Sequence, residues 1–294
     1  MTFLNESAAT AARVLNKCFT EVKPAGPWRW HCVAQNGACL PITAAIEEGF
    51  LHLAGRPEPL PKGSGAPLRA LKENATLAGG VKFALSPAGQ GLYLRTDIVL
   101  LEEAQLLERV RWALAGFQHS PRRLKSHDDG GGVSAAPESA PADLGERLQE
   151  TAWLCTERGP NDFAAELGAD SAPPARIRMN EHGLAFSVEL VRSAAGAELP
   201  GEALAVFLLT AGAALRLARA HALEMDGQRS FGFQVSLPAG AAVEEIDHAL
   251  AALSIAYRMC AREANVLLEE AAARCYLTAR GFPTIHDLEH EKEN

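Results

Sequence analysis

Two tandem α+β lobes, each an antiparallel sheet packed by helices, are the fold class that this sequence predicts. Two observations carry the prediction. HSPRRLKSHDDGGGVSAAPESAPAD, residues 119–143, has three consecutive glycines, three prolines and almost no apolar residue. Such a segment buries too little surface to offset the entropy of ordering it, and it reads as a flexible linker. On either side of it one supersecondary unit is spelled twice. GLYLRTDIVLLEEAQLLERVRWAL (91–114) and FGFQVSLPAGAAVEEIDHALAALSIA (231–256) both read as a strand, a short turn carrying two glutamates, and a helix. The 294 residues suit two domains better than one. The expected division is a first lobe over 1–118, the linker over 119–143, a second lobe over 144–277 and a charged tail over 278–294.

The first lobe opens with a helix, because Leu4, Ala8, Ala11, Leu15, Cys18 and Val22 alternate spacings of four and three. Pro24 and Pro27 close it. WRWHCVAQ then meets Asn36-Gly37, a strong hairpin signal, and ACLPITAAIEE returns with Leu40, Ile42, Ala44 and Ile46 on one face. Glu48-Gly49 turns the chain into FLHLAG. A Pro/Gly loop precedes a short helix, LRALKENATLA, which Gly79-Gly80 terminate. VKFALSP and GLYLRTDIVL are two further strands, and a helix from about 102 to 117 closes the lobe.

In the second lobe Asp143 and Glu146 form a capping-box variant ahead of a helix carrying Leu148, Ala152 and Cys155. ARIRMNEHGLAFSVELVR is a hairpin turning at His182-Gly183. Residues 202–225 read as a long Ala/Leu-rich helix, and SFGFQVSLP as a strand with Phe231, Phe233, Val235 and Leu237 on one side. A final helix over about 243–277 carries Ile246, Leu250, Leu253, Tyr257, Cys260, Ala264, Leu267 and Ala271 at four-three spacing.

The two lobes match in order. Cys18 aligns with Cys155, Asn36-Gly37 with His182-Gly183, Leu92 and Leu94 with Phe231 and Phe233, and Glu102-Glu103 with Glu244-Glu245, at offsets of 137, 146, 139 and 142. An internal duplication is the expectation. A unit of helix, antiparallel strands, helix, further strands and final helix resembles the type III secretion chaperones of the Tir-chaperone type and the related YbjN-like proteins. WHCVAQNGACLPITAAIEEGFLHL and GLYLRTDIVLLEEAQLLERVRWAL carry the likeness, with Leu92, Leu94 and Ile98 in the apolar positions of the family's last strand. The resemblance implies non-catalytic binding of other proteins by a dimer, which two covalently joined copies would mimic as a monomeric pseudo-dimer. The second copy departs from the pattern by lacking an evident counterpart of FLHLAG.

Composition narrows the function. A formal charge of −8 argues against nucleic acid or an anionic membrane as partner. The N-terminal residues lack a basic stretch followed by an apolar one, and the longest apolar run, ALAVFLLTAGAAL, is shorter than the ~20 residues of a bilayer span. The six cysteines form no CxxC pair and read as reduced thiols of a cytoplasmic protein.

Motifs for chemistry are weak, and no cofactor is expected. His31, Cys32 and Cys39 offer three ligand types, but neighbours on a strand point to opposite faces; His286 and His290 lie in a charged tail. There is no GxSxG, and Gly63-Ser64-Gly65 has no following helix at the required spacing. The carboxylate pairs Glu102-Glu103 and Glu244-Glu245 suit the first turn of a helix, and no glycine-rich stretch carries the Lys-Ser/Thr of a phosphate loop. The expected function is therefore a non-catalytic protein-binding module, chaperone-like or regulatory, holding an extended segment of another protein. An enzyme of unrecognised type and a scaffold subunit of a larger assembly are the alternatives. The strand bearing Trp28 and Trp30 and the strand bearing Phe50 and His52 are the candidate binding edges, and the net negative charge favours segments flanked by Lys or Arg.

Overall fold

The structure, a computed structural model, describes residues 2–34, 41–60, 65–86, 91–125, 144–159, 161–168, 172–180 and 183–282. It is α+β, with seven helices and two antiparallel sheets of seven and six strands among those residues. The first lobe runs α1 (Thr2–Cys18), β1 (Phe19–Gly26), β2 (Arg29–Ala34), β3 (Pro41–Glu47), β4 (Phe50–Gly55), β5 (Glu58–Pro59), α2 (Ala66–Asn74), β6 (Lys82–Leu85), β7 (Gly91–Val99) and α3 (Glu103–Lys125). The second runs α4 (Leu144–Glu150), β8 (Cys155–Gly159), β9 (Asp162–Ala165), β10 (Ala175–Asn180), β11 (Gly183–Ala194), α5 (Glu198–Ala214), β12 (Arg219–Met225), β13 (Gln228–Leu237), α6 (Val243–Val266) and α7 (Glu270–Ala279).

The two strand orders are the same. The first sheet runs β1-β2-β3-β4-β7, with β6 on the far side of β7; the second runs β8-β9-β10-β11-β13-β12. In each lobe four strands meander, a helix crosses, and the last strand inserts between the fourth strand and its own hairpin partner. The short β5 continues the line of β4 along β7, pairing Glu58 with Leu92 where β6 pairs Leu85 with the same residue from the other side.

Several elements differ from the sequence reading. The first helix stops at Cys18, and the residues from Phe19 to Val22, expected to extend it, open the strand β1, which runs on to Gly26. Pro24 disfavours helix in the residue before it, and Phe19, Thr20 and Val22 are residues that suit a sheet. The stretch around Cys155 likewise begins strand β8 instead of ending a helix. The expected helix over 202–225 ends at Ala214, and its second half is β12. The missed signal is Asp226-Gly227, whose φ angles of 51° and 70° make the two-residue turn between β12 and β13. The last helix breaks at 267–269, so that α7 turns back onto α5 and Tyr276 meets Phe207 edge-on.

These changes supply the missing counterpart. β10 and β11 pair as far as Asn180 and Gly183, with His182 outside the described residues, and so correspond to β3 and β4 on either side of Glu48-Gly49, not to the strands flanking Asn36-Gly37. FLHLAG, which is β4, corresponds to the twelve-residue β11. Of the expected linker, 119–125 continue α3, while 126–143 lie outside the described residues, as do Asn36-Gly37 and 283–294 of the tail.

The core falls into two clusters. One lies between α1, α3 and β2–β4, around Val14, Leu15, Ile42, Leu51, Leu53 and Phe117. The other fills the second lobe and reaches into the first, taking in Leu71, Phe83, Leu85 and Leu92. The interface is reciprocal: α2 packs on β12, α5 packs on β6, and α2 meets α5. An interface in which element i meets j and j meets i is what a two-fold axis generates.

Candidate functional site

The reciprocity extends to single side chains. Lys82 and Arg219 are the first residues of β6 and β12, the corresponding strands, and both are buried at the interface. The Lys82 ammonium donates to the carbonyls of Leu215 (2.6 Å) and Ala218 (3.1 Å), in the connection from α5 to β12. The Arg219 guanidinium donates to Leu77 (2.6 Å) and Val81 (3.0 Å), in the connection from α2 to β6. Each cation thus ties down the other lobe's helix-to-strand connection, including the residue just before its own counterpart.

Register extends the match. Lys82 lies opposite Arg95 and Arg219 opposite Gln234, so Asp97, two residues on, corresponds to Ser236. Asp97 accepts from Lys82 at 3.0 Å, and Ser236 accepts from Arg219 at 2.9 Å. One side therefore has a carboxylate where the other has a hydroxyl. Asp97 also accepts from Arg95 and from the Leu217 amide, at 3.1 Å for the amide. Leu217 takes φ of 56°, and the Asp97 bond helps to hold the bend that separates α5 from β12.

Burial pushes the Asp97 carboxyl up, but Lys82, the His52 hydrogen bond and Arg95 together overrule it and hold it well below the usual carboxylate range. Burial pulls the Lys82 ammonium down to about 8 despite the support of Asp97. Arg219, with no carboxylate beside it, is pulled down to about 10 by burial, and its Nε has no hydrogen-bond partner. A second buried ion pair crosses the interface: Arg109 of α3 grips Glu245 of α6 with two bonds of 2.7 and 2.8 Å.

The four candidate binding residues are divided by the fold. Trp30 is 8% exposed and belongs to the first core. Trp28, at φ 57° in the turn between β1 and β2, is 39% exposed. Phe50 is half-buried and meets His248 of α6 edge-on. His52 is buried with Nδ1 2.6 Å from Asp97 and Nε2 3.3 Å from the Glu47 carbonyl. Neither strand is an edge: β2 lies between β1 and β3, and β4 between β3 and β7. The misplacement follows from reading the helix on to Val22, which removed the true edge, β1, from the sheet. The sheets end at β6 and β12, which pack against the other lobe's α5 and α2, and at β1, bearing Pro24, and the five-residue β8, whose irregular register discourages indiscriminate pairing.

A wide open space lies elsewhere, on the face of the second sheet turned away from its helices. It is a trough of about 860 Å³. Arg176 and Arg178 of β10, Arg192 of β11 and Arg158 of β8 line one flank, and Leu223 and Met225 of β12 the other. No motif in the sequence announced it, since its residues come from six strands that only the sheet assembles. His221 is buried at its floor with Nδ1 unpartnered. Burial and the adjacent Arg219 lower this imidazole from 6.5 to about 4. The unfolded chain then binds the extra proton between those values, so stability is complete above pH 6.5 and falls as pH drops towards 4, by about 3 kcal/mol through this group. Urea titrations at stepped pH should show that slope, and His221→Gln should flatten it.

As for chemistry, the space beside Asp97 and Arg109 is about 30 Å³, room for one water molecule and not for a substrate. No cluster of three or more His, Cys, Asp or Glu side chains among the described residues is arranged to hold a metal. His31 is exposed and Cys32 buried, on opposite faces of β2; Cys39, His286 and His290 lie outside the described residues. No helix among those residues is long and apolar enough to cross a membrane. The chain matches no family model, no curated protein and no solved structure.

Proposed function

We propose that the chain is a non-catalytic, chaperone-like or regulatory protein-binding module of the cytoplasm, in which two type III secretion chaperone-like lobes form a monomeric pseudo-dimer that holds an extended segment of another protein. The reciprocal interface carries this reading. Lys82 bonding to Ala218 while Arg219 bonds to Val81 is the pattern of an isologous dimer contact, kept within one chain. The helix–four-strand–helix–two-strand–helix order shared by both lobes supports the family likeness. Phe50 and His52 serve the lobe interface in this reading, and Trp28 is the exposed member of the original four.

Two experiments test it. A protease site inserted between residues 126 and 143 and then cleaved should leave two fragments that co-elute on gel filtration; fragments that separate would remove the pseudo-dimer. Proteins captured from native cytosol should then be dissected. Binding is expected to survive in an isolated peptide of the captured protein, and a requirement for the partner's folded domain would sink the holding role.

A further inference from the structure

The trough on the second sheet differs in charge from the chain around it. Arg158, Arg176, Arg178 and Arg192 line it against Glu189 and Asp226, in a protein whose formal charge is −8. Glu189 is already engaged by Ser230 at 2.7 Å and by Arg192 at 2.9 Å. Arg176 and Arg178 share Asp162 at the trough's edge, yet their side chains remain 50% and 51% exposed. A carboxylate arriving from outside would find two guanidinium groups that share one acid.

The opposite flank is apolar and open. Leu223 and Met225 are 47% and 71% exposed, and strand alternation places both on the same face as His221. Between the flanks the floor is low, made in part by Ser187 and Ser230, whose small side chains leave the trough its depth. From β10 to β12 is three strand spacings, about 14 Å. Register sets Arg176 level with Arg219, four residues (about 13 Å) short of Leu223, so the diagonal from Arg176 to Leu223 is about 19 Å, the reach of roughly six extended residues.

We propose that this trough is a docking site for an extended segment of a partner protein in which a carboxylate stands about six residues from an apolar side chain. The segment crosses the strands diagonally, with its carboxylate on Arg176 and Arg178 and its apolar side chain on Leu223 and Met225. This rests on the binding-module reading and reverses the expectation, drawn from net charge, of Lys- or Arg-flanked segments. The mixture of four arginines with apolar side chains and resident acids favours such a peptide over a nucleic acid, which needs a broader basic surface.

The test is fluorescence anisotropy with labelled twelve-residue peptides carrying Leu and Glu six residues apart, or Leu and Lys at the same spacing, and with a single-stranded oligonucleotide as competitor. The native chain should prefer the Glu peptide. The paired variant Arg176→Glu, Arg178→Glu should bind it about tenfold more weakly and should now prefer the Lys peptide. Both arginines are exposed, so circular dichroism and thermal melting should be unchanged. Equal binding of the two peptides, an unaffected charge-reversed chain, or displacement by the oligonucleotide at lower concentration than by unlabelled peptide would each overturn the assignment. A captured cytosolic partner that binds the charge-reversed chain as tightly as the native one would also overturn it while leaving the binding-module reading intact. If the trough behaves as expected but every captured partner needs its folded domain, the holding role fails and the docking site stands.

Discussion

Asp97→Ala is expected to cost about 3–5 kcal/mol of folding stability, read as a lower denaturation midpoint in urea. The carboxylate gathers Lys82, Arg95, His52 and the Leu217 amide at a site closed to solvent. Removing it leaves two cations buried without a counter-charge, a larger penalty than the loss of any one bond. Lys82→Met should cost less, because Asp97 keeps Arg95 and His52. Asp97 also sets a pH response. Its folded value lies below the unfolded one, so its contribution is present above the ordinary carboxylate range and is lost as pH falls through the depressed value. That acid limb lies below the one assigned to His221, and Asp97→Ala should remove it while leaving the slope between pH 6.5 and 4 in place.

Arg109→Met is expected to have a comparable effect, about 3–5 kcal/mol, because it strands Glu245 without its bidentate partner between α3 and α6. Glu245 keeps one useful bond, accepting the Ala242 amide at 2.9 Å at the start of α6. The double variant Arg109→Met, Glu245→Gln should therefore recover part of the loss, since glutamine can still accept that amide without carrying charge. A double variant as unstable as the sum of the two singles would show that the pair is not coupled. Both substitutions lie on the lobe interface, so they should also promote separation of fragments cleaved between 126 and 143.

Much of the fold was legible because hydrophobic period is local. Ala11 and Leu15 in α1, Ile42, Ala44 and Ile46 in β3, Phe231 and Phe233 in β13, and Ile246, Leu250 and Leu253 in α6 all lie in the core, as their spacing implies. The errors share a cause. Phe19–Gly26 and Arg219–Met225 are short, their apolar residues fit helix and strand periods alike, and each adjoins a true helix. Neighbouring strands decided them. Phe19–Gly26 is a strand because β2 pairs with it, and Arg219–Met225 because β13 does.

The candidate site was less legible for a related reason. Trp28, Trp30, Phe50 and His52 stood out as aromatic or polar residues on apparent edge strands, but edges belong to the sheet and not to any one strand. Once β1 covers β2, and β7 covers β4, those positions become turn, core and lobe interface. By itself the sequence determined two α+β lobes and the order of most of their elements, because period, turns and composition act within a few residues. Tertiary structure alone decided which strands are edges, that Lys82 and Arg219 exchange bonds across the lobes, and that four arginines meet Leu223 and Met225 in one trough. Those features join residues up to 142 positions apart, and no local pattern records such pairings.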